Sequence, residues 1–131
     1  CLFRQLVKLA KQAGGPTRSA LGLASYKMAE AWRSGYTNNI LSEYVSYIGV
    51  LRQFSVDHDL GIFDAGHEQL TDAATLDGLV YKPAGAGGGD IGLLFGRNES
   101  ELERFVAENS ELVHAVLPCD LDSDGVRLEQ Q

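Results

Sequence analysis

Apolar residues recur every three or four positions over the first half of the chain and then tighten to short, nearly continuous runs, and this change of period separates two regions. Leu2, Leu6, Val7, Leu9 and Ala10 fall at helical spacing, and Gly14, Gly15 and Pro16 stop that helix and start the next. Leu21, Ala24, Met28, Ala31 and Trp32 carry a second helix as far as Gly35. The third is the clearest. Ile40, Leu41, Tyr44, Val45, Ile48, Leu51 and Phe54 form one apolar stripe, with Ser, Glu, Arg and Gln on the remaining faces. A short fourth helix is predicted over Ala65 to Thr75, with Asp64 as its N-cap and a stop near Gly78.

Beyond Gly78 the pattern is that of strands. "LVYK" reads as one, "IGLLFG" as a second whose apolar run implies burial, and the glycine-rich segment between them as a loop. "ESELERFVAENS" fits a helix with Leu102, Phe105 and Val106 inward. "LVHAVLP" reads as a strand ended by Pro118, and "GVRLE" as a last strand after the acidic turn "DLDSDG". Four helices, two strands, a helix and two strands predict an α+β fold, with helices packed on a four-stranded, mainly antiparallel sheet. No internal repeat interrupts residues 1–131, which read as a single domain.

Composition narrows the partners. Eleven Lys and Arg against eighteen Asp and Glu give a formal charge of −7. No basic cluster offers the electropositive surface that nucleic acid or an anionic membrane needs, so neither is expected as a partner. No apolar stretch is long enough for a membrane span, and the charged opening "CLFRQLVKLAKQ" is unlike a signal peptide. The two cysteines, Cys1 and Cys119, sit at opposite ends, which argues for a reducing, cytoplasmic compartment and against a disulfide framework or a zinc site.

The segment "KPAGAGGGDIG", Lys82 to Gly92, holds five glycines in eleven positions. Glycine loses more backbone entropy on folding than any other residue, so such density needs a reason. Consecutive glycine N–H groups can turn toward one point and cradle phosphate or another anion. The alternative is a tight hairpin with no ligand. Two familiar phosphate loops do not fit. Gly87, Gly89 and Gly92 match G-x-G-x-x-G in form, but a strand follows where the dinucleotide fingerprint needs a helix. No Lys-Ser or Lys-Thr follows, as the Walker pattern requires.

The run "KPAGAGGGD" resembles the third motif of the GHMP kinases, a family of small-molecule kinases. It is most similar to the version in phosphomevalonate kinases, Lys-Pro-Ser-Gly-Ala-Gly-Gly-Gly-Asp followed by Cys-Gly. Eight of nine positions agree, with Ala84 in place of the usual serine, and Ile91 stands where cysteine is common. The resemblance implies a GHMP kinase C-terminal domain with a ferredoxin-like sheet, and a substrate and phosphate loop made of Lys82, Ala84, Gly85, Ala86, Gly87, Gly88, Gly89 and Asp90. It further implies that the backbone from Gly85 to Gly89 approaches the phosphoryl groups while Lys82 and Asp90 anchor the loop ends.

In such a kinase ATP and Mg²⁺ are bound largely by an N-terminal domain, whose serine-rich glycine loop is not found in these 131 residues. No catalytic residue is therefore assigned here, tight binding of ATP or Mg²⁺ by this chain alone is not expected, and neither is phosphoryl transfer without the N-terminal domain. The expected partners are a small phosphorylated metabolite, that domain and a second copy, because an exposed interdomain face favours a homodimer. Ala84 lacks the serine hydroxyl, so a substrate other than phosphomevalonate, or weaker binding of it, is anticipated. The rival reading is a stand-alone, non-catalytic module that holds a small phosphorylated metabolite or pairs with an N-domain protein.

Other constellations point to structure. "DLDSDG" opens like a calcium-binding EF-hand loop, but Gln131 occupies the twelfth position, and a solvated acidic turn is the expectation. Asp57, His58, Asp59, Asp64 and His67 match no zinc spacing, and surface or capping roles are expected. His114 reads as a packed or edge strand residue. The tyrosines and Trp32 follow helical faces and read as core.

Overall fold

The computed structural model describes residues 16–85, 88–89 and 91–118, with side chains from residue 19 onward. The helix expected over residues 2–10, the acidic turn and the strand at 125–129 lie outside the described residues, as do Cys1 and Cys119. Four helices and one β-hairpin are described: α1 (Pro16–Ser34), α2 (Thr37–Asp57), α3 (His67–Leu76), β1 (Val80–Pro83), β2 (Gly92–Phe95) and α4 (Glu99–Glu108). The fold is α+β, with a two-stranded antiparallel sheet among the described residues. No described helix is long and apolar enough to cross a membrane.

The helix boundaries follow from local chemistry. Proline suits a first helical turn, where its missing N–H has no intrahelical acceptor, and α1 begins at Pro16. Gly35, with φ of 70°, lets the chain reverse into α2. In α2 the predicted stripe buries Leu41, Ile48 and Phe54 and half-buries Ile40, Tyr44 and Leu51, and Tyr47, outside that stripe, is half-buried as well. Val45 departs from that stripe and is exposed. Trp32 on α1 donates Nε1–H to the Tyr44 hydroxyl at 3.3 Å, and the Tyr44 ring stacks on Phe95 at 4.6 Å. This chain of rings joins the α1/α2 pair to β2. Trp32 stays partly exposed, so it is only a rim member of the core.

Helix α3 starts two residues later than Asp64 capping would place it. The Asp64 N–H donates to the Gly61 carbonyl, and the Asp64 carbonyl accepts from His67, so residues 61–66 form a series of turns. Ala65 and Gly66 both have positive φ there, and the N-cap is Gly66 with no side-chain cap. The stop near Gly78 is as expected. Gly78 N–H donates to Thr75 and Leu79 N–H to Ala74, a Schellman closure that needs the left-handed glycine. Helix α4 has a side-chain cap: Asn98 accepts the Glu101 N–H at 3.0 Å, with Glu99 and Glu101 at the positive end of the helix dipole.

The hairpin separates two apolar clusters. Its register pairs Val80 with Phe95, Tyr81 with Leu94, Lys82 with Leu93 and Pro83 with Gly92. Because side chains alternate along a strand, Val80 and Phe95 pack with Leu41, Ile48, Ile62 and Phe63 on one face. Tyr81 and Leu94 pack with Leu70, Ala74, Leu79 and Phe105 on the other. Arg52 secures α2 to α3 through a 2.6 Å ion pair with Asp72 while lying over the Phe63 ring.

The strand expected over "LVHAVLP" is not formed. Leu112 and Val113 direct their N–H groups to the Asn109 carbonyl, and so are used in closing α4. Val113 packs on the second cluster, whereas His114, Val116 and Leu117 are exposed, without a strand partner among the described residues. A strand needs a neighbouring edge to satisfy its backbone, and none pairs with this segment among the described residues. Among the described residues the sheet is the two-stranded hairpin alone, in place of the expected four-stranded, ferredoxin-like sheet.

Candidate functional site

The glycine loop is the connection of the β-hairpin, running from Ala84 to Ile91. It is closed at its base by the Ala84 N–H, which donates to the Ile91 carbonyl at 3.0 Å. Gly85 and Gly88 both take φ of 61°, a left-handed conformation that favours glycine. Gly85, Gly88 and Gly89 are exposed and Ala84 is half-buried. Ala86, Gly87 and Asp90 lie outside the described residues.

The loop is tethered to the body of the domain at two successive residues. The Gly88 N–H donates to the Ile62 carbonyl at 2.9 Å. Ile62 is itself held by its N–H donating to the buried Ser55 hydroxyl at 3.1 Å, so the tether runs from α2 through the 59–66 turns into the loop. At Gly88 there is also no room for a side chain, since a Cβ would lie 2.9 Å from the Gly61 carbonyl oxygen. At Gly85 nothing lies within 4 Å of that position.

The second tether comes from His67, which sequence reasoning assigned to a surface or capping role. His67 is 3% exposed. Its Nε2 lies 2.7 Å from the Gly89 carbonyl oxygen and its Nδ1 lies 2.8 Å from the Tyr81 hydroxyl. The periodicity did carry a signal for this burial. His67, Leu70, Thr71 and Ala74 stand at i, i+3, i+4 and i+7, and all four are buried on one face of α3. Tyr81 is also buried, and burial pushes its phenol pKa up. Its ring occupies the space where Gly92 would carry a side chain; a Cβ there would overlap the phenol. Gly92 is therefore demanded by space, and not by its backbone angles.

Lys82 projects from the face of the hairpin shared with Val80, beside Leu93. It is half-buried, and desolvation lowers its pKa from the ordinary lysine value. Placed two residues before the loop, whose backbone amides are the candidate donors, it carries a cationic group with a weakened hydration shell. Of those amides, Ala84 and Gly88 already donate to carbonyls, whereas Gly85 and Gly89 donate to none among the described residues.

The histidine and aspartate group around residues 57–67 is not assembled. His58 packs on the Phe54 ring at 4.6 Å while His67 faces Tyr81, and no set of three metal-ligating side chains occurs among the described residues. His114 is exposed outside any strand.

No family model matches the chain, and neither a curated protein nor a solved structure matches it.

Proposed function

We propose that this chain is the substrate- and phosphate-side domain of a GHMP-type small-molecule kinase, resembling the phosphomevalonate kinases. The single observation that carries the reading is that "KPAGAGGGD" begins at the end of β1 and continues into the hairpin connection, where Gly85, Gly88 and Gly89 are exposed, Gly85 and Gly88 are left-handed, and Gly88 and Gly89 are tethered to the domain body. Phosphoryl transfer relies on positioning and on electrostatic stabilisation of the phosphoryl oxygens. This domain offers backbone N–H groups, Gly85 and Gly89 among them, and the nearby charge of Lys82. On this reading the metal and ATP are bound principally through an ATP-binding domain, in the same polypeptide or a separate one. The substrate is a small phosphorylated metabolite.

Ile91 and Leu93 beside the loop, and Tyr26, Trp32 and Tyr36 on and after α1, are each exposed and available for covering by that domain or by a second copy. The non-catalytic alternative draws on the loop's internal pairing, because every amide already bonded to a carbonyl is one fewer for a ligand.

The test is titration calorimetry with ATP·Mg²⁺ and with phosphomevalonate, followed by a phosphoryl-transfer assay with and without an ATP-binding domain. The expected result is weak binding and no turnover for this chain alone, with turnover when the second domain is added. Full activity of the reconstituted pair after the glycine loop is replaced by a short Asn-Gly turn would refute the proposal.

A further inference from the structure

We infer that His67 is the positioning residue of the glycine loop, gripping the Gly89 carbonyl through Nε2–H in the ring tautomer that leaves Nδ1 to accept from the Tyr81 hydroxyl. The inference rests on the proposed function only in taking this loop as the phosphate-binding one. A carbonyl oxygen only accepts, so the ring nitrogen 2.7 Å from Gly89 carries a proton. In the neutral ring Nδ1 is then an acceptor, and the Tyr81 hydroxyl at 2.8 Å donates to it. Burial favours the protonated phenol, which keeps that donor in place.

Tyr81 is in turn fixed by its neighbours. Its ring is enclosed by Leu70, Ala74, Leu79 and Phe105 and lies against the bare Cα of Gly92. A rigid series therefore runs from the second cluster through Tyr81 and His67 to the loop. Adjacent loop residues are held through opposite polar groups, the Gly88 N–H donating to Ile62 and the Gly89 carbonyl accepting from His67. His67 reaches a carbonyl twenty-two positions along the chain, in an exposed loop.

Two measurements test this. Nitrogen-15 spectra of the wild-type ring should show a single neutral tautomer with Nε2 protonated; protonation at Nδ1, or an even mixture of tautomers, overturns the inference without any variant. Amide exchange of Gly88 and Ala84 should then accelerate about 3- to 10-fold in His67→Ala, the scale of one hydrogen bond, while Ile48 and Phe54 in α2 keep their rates. His67→Gln, whose amide N–H can span the same gap, should restore most of the protection. Unchanged Gly88 exchange in a folded His67→Ala protein, or identical loosening in the Gln variant, overturns it. Pyrophosphate added to the wild-type chain separates the two ideas: loop amides that stay unperturbed while the tautomer and exchange results hold reject the phosphate reading and not the latch.

Discussion

Gly92→Ala tests how closely the hairpin is fitted to its neighbours. The added methyl falls inside the volume of the Tyr81 phenol, and Tyr81 is 8% exposed within a packed cluster. If the strands shift to make room, the cost is that of overpacking, about 1–3 kcal/mol. If the ring is expelled, its loss of roughly 150 Å² of buried surface at about 25 cal/mol per Å² costs about 4 kcal/mol. Expulsion also leaves His67 Nδ1 without its donor, about 1–3 kcal/mol more. The chain takes the cheaper course. Replacing a strand glycine by alanine returns roughly 0.5–1 kcal/mol of backbone entropy, so a net destabilisation of about 1 kcal/mol is expected. Urea denaturation followed by Trp32 fluorescence measures it as a lower midpoint with an unchanged slope. In a Tyr81→Ala background the same substitution should cost almost nothing, a strongly non-additive cycle. A loss below about 0.5 kcal/mol in the wild-type background, or an additive cycle, would refute the reasoning.

The two left-handed glycines of the loop should respond unequally. Gly85→Ala meets only the αL strain of an L residue, about 1–2 kcal/mol before its entropy gain, whereas Gly88→Ala also presses on the Gly61 carbonyl; equal losses on urea denaturation would contradict the close approach. Alkaline titration should show two opposed effects. Tyr47 and Tyr81 have folded pKa values raised above 10.0, by burial in both and additionally by Tyr44 for Tyr47, so their contribution is complete below that pH and lost as pH rises through the folded values. Lys82 has a folded pKa lowered below 10.5 by burial, so its penalty holds at neutral pH and is relieved as pH climbs through that folded value. Lys82→Met should accordingly raise the urea midpoint at pH 7 while weakening pyrophosphate binding; a lower midpoint would show that the ammonium is stabilised in the folded state.

The legible parts of the fold are those fixed by short-range pattern. The α2 stripe, the Pro16 start, the Gly78 stop and the hairpin each depend on neighbours in sequence, and each appears where the residues imply. The misreadings involve partners far along the chain. Asp64 looks like an N-cap, but its backbone is used in the 61–66 turns that support the glycine loop. "LVHAVLP" has strand composition, yet its first residues close α4. His67 was visible as a histidine on an apolar helical face, but its bond to Gly89 depends on the fold bringing α3 beside the hairpin loop. Gly92 reads as a second-strand residue with no reason for being glycine, whereas its smallness accommodates a ring two residues along the opposite strand.

The tethers also decide whether a loop so rich in glycine can hold an anion usefully. Ordering one residue's backbone costs roughly 1–2 kcal/mol, so a free loop that froze Gly88 and Gly89 only on binding would forfeit about 2–4 kcal/mol of affinity. That is close to the contribution of one well-aimed donor to a developing anion, about 3–4 kcal/mol, and the two would nearly cancel. With Gly88 bonded to Ile62 and Gly89 to His67, part of that ordering has already occurred in the folded domain. The glycines then serve opposite ends: Gly85, with open space around it, retains freedom to adjust, while the 88–89 pair is held in advance. If this division is right, cutting the His67 tether should weaken pyrophosphate binding chiefly through a less favourable binding entropy in calorimetry, with His67→Gln recovering it. An unchanged entropy accompanied by a lost enthalpy would mean that His67 acts on the ligand directly.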